Sequence, residues 1–122
     1  MTKRILIVDD SPSIRKMVKV TLASADYDVT AAEDGIEALD LCLANEYDFV
    51  LTDQNMPRMD GLTLIKSLRA QPEYQAKPIV MLTTEASDNM KEKGRAAGAT
   101  GWMVKPFDPD KLLMVAEKVL SK

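Results

Sequence analysis

KRILIVDDSPSIRKMV, residues 3–18, is the stretch whose reading decides the fold. Ile5 to Val8 is an unbroken apolar run. A run without alternation suits a strand buried on both faces, because neither side of its pleat then meets water. It stops at two carboxylates, Asp9 and Asp10. Ser11-Pro12 follows, an N-cap residue with proline at the first helical position. Ile14, Met17, Val18 and Leu22 then recur on one face at helical spacing. The stretch therefore reads as strand, acidic turn, helix.

The same unit repeats outward along the chain. Phe49-Val50-Leu51 and Ile79-Val80-Met81-Leu82 are further continuous apolar runs, and Asp28–Ala31 and Gly101–Val104 are weaker strand candidates. Between them the helical period returns. Gly35–Ala44 is expected to turn Ile36, Leu39 and Leu43 inward. A helix from about Gly61 turns in Leu62, Ile65 and Leu68. Asn89–Ala97 has a thin apolar face and a Gly94 that lowers its propensity. Asp108-Pro109 repeats the cap-then-proline signal and opens a last helix carrying Leu112, Val115, Ala116, Val119 and Leu120. Five βα units in series predict an α/β fold, a doubly wound five-stranded parallel sheet with helices on both faces. Its crossovers are right-handed, and ligands in such sheets sit beyond the carboxyl ends of the strands.

Composition narrows the function classes. The length of 122 residues fits one domain, and 46% hydrophobic residues supply its core. A formal net charge of −3 argues against a nucleic-acid binder. The one cysteine, Cys42, forms no internal disulfide and is expected in the core, which suits a reducing, cytoplasmic setting. The short apolar run near the start is neither a signal peptide nor a membrane span. Histidine is absent, which removes His-based acid–base catalysis and a self-contained phosphohistidine.

The chemistry lies at the strand ends. The first strand runs into Asp9-Asp10, the third into Asp53, the fourth into Thr83-Thr84 and the fifth into Lys105-Pro106. A parallel sheet brings all of these to one edge. Clustered carboxylates raise one another's pKa unless a cation sits among them. Mg²⁺ fits such oxygen donors and shares itself with phosphoryl groups. An aspartate beside it can attack phosphorus to form an aspartyl phosphate, while Lys105 and the Thr83 hydroxyl can stabilise the charge on the transferring group. No Walker-type phosphate loop is present.

The motifs ILIVDDS, VLTDQNMPRMDG, MLTTEA and MVKPF, in this order and spacing, resemble the response-regulator receiver family, most closely its single-domain chemotaxis members. The resemblance spans Lys3 to Leu120. It implies strand order 2-1-3-4-5, with Asp53 as phospho-acceptor. Asp10, Asp53 and the Asn55 backbone carbonyl would be Mg²⁺ ligands, with Asp9 holding the ion through water. Thr83 and Lys105 would donate to the phosphoryl oxygens, and the Lys105–Pro106 bond would be cis. Asn55 and Glu85 would tune dephosphorylation. Trp102 occupies the switch position, where the family usually carries tyrosine or phenylalanine. Gly61 is expected to relieve backbone strain in the loop after the acceptor. The implied partners are a histidine kinase as phosphodonor and a downstream protein such as the flagellar motor switch. The downstream protein would be met by the fourth helix, fifth strand and fifth helix, which carry Met90, Lys91, Trp102, Met103 and Met114.

The expected unit is one receiver domain over residues 1–122 without an effector domain, monomeric and not an enzyme beyond accepting and losing its own phosphoryl group. Two alternatives stand beside the chemotaxis regulator. One is a phosphorelay intermediate or phosphate sink. A more distant one is an aspartyl-phosphate phosphatase of the haloacid-dehalogenase type, which wants an acid where Asn55 stands. A flavin-binding module is disfavoured because Asp9-Asp10 would repel the flavin phosphate.

Overall fold

The computed structural model describes residues 2–84 and 87–121. Its elements alternate as β1 (Arg4–Val8), α1 (Pro12–Ala23), β2 (Asp28–Ala32), α2 (Gly35–Ala44), β3 (Phe49–Asp53), α3 (Gly61–Arg69), β4 (Ile79–Thr83), α4 (Asp88–Ala97), β5 (Gly101–Val104) and α5 (Pro109–Leu120). A short 3₁₀ turn, Pro72–Tyr74, precedes β4. The strands are parallel in the order β2-β1-β3-β4-β5. This is the order that the family resemblance implied.

Period-two alternation sorts each central strand between two cores. Leu6, Val8, Val50, Ile79 and Met81 face one side, with Ala38, Cys42, Leu64, Ile65, Leu68 and Ala97 of α2, α3 and α4. Ile5, Ile7, Phe49, Leu51, Val80 and Leu82 face the other, with Val18, Leu22, Leu112 and Ala116 of α1 and α5. Both faces are covered, and for that reason β1, β3 and β4 read as continuous apolar runs. Ser11, Asp34, Asp60, Ser87 and Asp108 cap the five helices. Each side chain accepts a bond from the backbone amide three residues on.

Two expectations need correction. Leu43 does not point inward: it is 59% exposed, and α2 buries Gly35, Ala38 and Cys42 instead. Small residues on that stripe let the helix sit close to its neighbours, while Leu39 and Leu41 flank the contact. Gly94 does more than weaken α4. It is buried, and a β-carbon there would lie 3.1 Å from the Met81 methyl, so glycine lets α4 seat on β4. Cys42 is buried as expected, and burial pushes its thiol up to about 11, which makes it unreactive. No helix among the described residues is long and apolar enough to cross a membrane.

Candidate functional site

The carboxyl ends of the strands bring the expected residues together. Asp9 is fully buried, Asp53 nearly so, and Asp10 is exposed at the mouth. One carboxylate oxygen from each lies within 4.8 Å of the others. Lys105 reaches in from the end of β5. Its Nζ is 2.7 Å from Asp9 Oδ2 and 3.2 Å from Asp53 Oδ1. The backbone guides it there, since the Lys105 amide donates to the Thr83 carbonyl at 2.8 Å and the Lys105–Pro106 bond is cis. Thr83 is buried at the end of β4, and its backbone carbonyl is the one that Lys105 meets.

The electrostatics follow from burial and proximity. Burial, then the neighbouring Asp9 charge, raise the Asp53 pKa, and Lys105 only partly offsets them. Burial works against the Lys105 ammonium, but its bonds to Asp9 and Asp53 prevail and raise its pKa. The second Asp9 oxygen accepts from the Ser11 amide at 2.9 Å, so this carboxylate is fixed on both sides. Three hard oxygen donors within this distance, one of them penalised for its charge, fit a divalent cation of the Mg²⁺ kind.

The loop after Asp53 is closed tightly. The Gln54 amide donates to Asp53 Oδ1 at 2.9 Å, and its buried side-chain Oε1 accepts from Leu62 at 2.9 Å. The Gly61 amide returns to the Gln54 carbonyl at 3.0 Å. Gly61 is not among the positive-φ glycines, so relief of backbone strain is not its role. Its requirement is steric: a β-carbon there would stand 2.4 Å from the Asp53 carbonyl oxygen. Asn55 is exposed in the same loop, and Glu85 lies outside the described residues.

Trp102 is half-buried on β5, paired in register with Met81, with Lys91 Nζ 5.3 Å from its ring centroid. Thr83 stands two residues beyond Met81 on β4, so Thr83 and Trp102 project to the same face of the sheet. Of the methionines named on α4, β5 and α5, Met103 belongs to the core, whereas Met114 is 62% exposed. Val104, not singled out from sequence, is 41% exposed beside them.

Three supporting residues escaped the sequence reading. The Arg15 guanidinium donates to the Asp9 carbonyl at 2.7 Å. Arg58, at φ 68°, places Nη2 2.7 Å and Nε 2.9 Å from Asp34 Oδ2. That bond ties the loop after Asp53 to the cap of α2. Gln54 is the third. Gln54 and Arg58 lie within the Asp53 motif, but nothing in the sequence named the partner of either.

The sequence model of the family described as "Response regulator receiver domain" matches residues 5–117. Over 120 residues the chain is 42% identical to a chemotaxis protein CheY homolog of Campylobacter jejuni, covering 97% of this chain and 92% of that protein. The crystallised chemotaxis response regulator CheY4 of Vibrio cholerae is 48% identical and superposes with a TM-score of 0.95, over 98% of this chain and all of that one. The receiver domain of the sensor histidine kinase PA1611 from Pseudomonas aeruginosa was solved with a magnesium ion in its active-site cleft. It is 30% identical, with a TM-score of 0.92 over the whole of both chains.

Proposed function

The chain belongs to the response regulator receiver family, and on that premise we propose that it is a phospho-acceptor switch in chemotaxis or motility, charged on Asp53 by a histidine kinase. The observation that carries this reading is the Lys105 ammonium held between Asp9 and Asp53 beside the exposed carboxylate of Asp10. It puts a nucleophile, a cation and a set of metal-binding oxygens in one crevice.

An Asp53 oxygen attacks phosphorus, and the bond from phosphorus to the donor's imidazole nitrogen breaks. The electron pair leaves with the imidazole, and an acyl phosphate is left on Asp53. Asp10, Asp53, the Asn55 carbonyl and, through water, Asp9 would hold Mg²⁺, which supplies positive charge to the carboxylate cluster and the phosphoryl oxygens. Lys105 already lies beside Asp53 Oδ1, so its ammonium is near where the new phosphoryl oxygens arrive. The Thr83 hydroxyl donates to another of those oxygens. Thr83 is drawn toward the phosphoryl group by that bond, and Trp102, on the same face, turns into the space it leaves and alters the face of α4, β5 and α5 that a partner reads. Asn55 and Glu85 orient the water that later hydrolyses the acyl phosphate. The chain turns over no substrate besides its own phosphoryl group.

Intact mass spectrometry with Mg²⁺ and acetyl phosphate tests this. The wild type should gain one phosphoryl group and Asp53→Asn none. Equal labelling of the two would overturn the assignment. In the same time course Asn55→Lys and Glu85→Lys should lose the group more slowly, and wild-type decay in both would remove these side chains from that role.

A further inference from the structure

At the opposite end of β5 from Lys105 lies a second concavity, a groove of about 710 Å³ between the start of that strand and the last turns of α5. Its walls include Pro78, Val80, Val115, Val119 and Leu120, with Gly101 on the strand. Gly101 pairs in register with Val80, so a side chain there would point to the α5 face with Val80. Glycine within a strand lowers stability relative to alanine. Two reasons usually account for it, and neither applies here. The backbone of Gly101 is not at positive φ, and a β-carbon would meet nothing within 4 Å. What the missing side chain leaves is room in the groove.

The rim is cationic. Lys3, Lys77 and Lys118 line it against one acid, Asp48. Asp48 is already committed, accepting from the Arg4 amide at 2.8 Å and facing Lys77 at 3.5 Å. Lys77 is shared further with Glu46 at 3.1 Å. Lys3 and Lys118 are exposed and have no ion pair among the described residues. An apolar floor beneath two uncommitted ammonium groups complements one kind of occupant, and the volume is that of a small-molecule site. We propose that this groove binds a small amphipathic organic anion, its apolar body on Val80, Val115 and Val119 beside Gly101 and its acidic head at Lys3 and Lys118. The groove lies at the far end of β5 from Lys105 and Asp53, with Trp102 also among its lining residues.

The probe is 8-anilinonaphthalene-1-sulfonate, with N-phenyl-1-naphthylamine as the same aromatic body lacking the charge. Backbone amide NMR titration of the full chain locates the binding, and fluorescence measures its strength. The sulfonate should shift Gly101, Val115, Lys118 and Val119 and leave Asp53 and its loop unmoved. Gly101→Val should weaken it about tenfold or more, since groove space of methylene size is worth that much to a ligand, while melting no lower than the wild type. The double variant Lys3→Glu with Lys118→Glu, which leaves the core untouched, should weaken the sulfonate by about fivefold or more and the neutral amine hardly at all. Shifts centred elsewhere, undiminished binding to Gly101→Val, or equal losses of both probes in the lysine variant would each overturn the proposal.

Discussion

Gly61→Ala places one methyl group behind the acceptor, and its cost can be worked from three distances. The new β-carbon would stand 2.4 Å from the Asp53 carbonyl oxygen, 3.0 Å from Gln54 Cα and 3.1 Å from Gln54 Oε1. An ordinary carbon–oxygen contact is about 3.3–3.6 Å, so one backbone must retreat by roughly 1 Å. Neither is free to do so. Gly61 is bonded to the Gln54 carbonyl, and Gln54 is bonded to Leu82 at 3.1 Å and to the Asp53 carboxylate. Overpacking of this kind costs about 1–3 kcal/mol. For a chain of this length 1 kcal/mol moves the melting temperature by about 4 °C, so a fall of roughly 4–12 °C is expected. A displacement of about 1 Å at the nucleophile should also slow labelling of Asp53 by about a hundredfold. Gly101→Ala is the matched control, because its β-carbon enters open space, and it should melt at or slightly above the wild-type temperature. Thermal melts by circular dichroism and timed intact-mass labelling read both effects. A Gly61→Ala protein that melts with the wild type and labels at the wild-type rate would refute the steric argument.

Lys105→Ala leaves Asp9 buried without its cation, which should cost about 3–5 kcal/mol in chelator. Added Mg²⁺ should recover much of that, with calorimetric affinity no weaker than wild type, and loss of Mg²⁺ binding would contradict the assignment of the lysine to the phosphoryl group. The Glu37 amide, chiefly, and Arg58 hold the Asp34 pKa below the usual carboxylate value despite its burial. Its contribution is therefore whole above about pH 3.9 and lost as pH falls through the lower folded-state value. Asp34→Asn should lie within about 1 kcal/mol of wild type at neutral pH, because asparagine still caps α2. Urea titrations at falling pH should show the gap between the two closing, and a widening gap would reverse the sign argued here. Trp102, the only indole, should change its fluorescence clearly with beryllofluoride and Mg²⁺ and little with Mg²⁺ alone. A large response to Mg²⁺ alone would mean that it is not the switch aromatic.

Much of the fold is legible in the chain itself, because its signals are local. Unbroken runs such as Ile5–Val8 declare burial on both faces, and Ser11-Pro12 and Asp108-Pro109 declare helix starts within a few residues. Strand ends in a parallel sheet converge by topology, so Asp9, Asp10, Asp53, Thr83 and Lys105 can be gathered from their positions alone. Their order, spacing and residue types carry the family resemblance as well. The side chains that depend on a distant partner cannot be read in this way. Helical spacing counts Leu43 as a core residue, yet Ala38 and Cys42 are the ones the neighbouring layers leave room for. Gly61 reads as relief of backbone strain and Gly94 as a loss of helix propensity until the Asp53 carbonyl and the Met81 methyl are seen against them. Arg58 finds Asp34 across 24 positions. Periodicity and capping are properties of neighbouring residues and are written in the chain. Close approach, charge pairing and the space left open at Gly101 are properties of elements packed in three dimensions, and only the packing decides them.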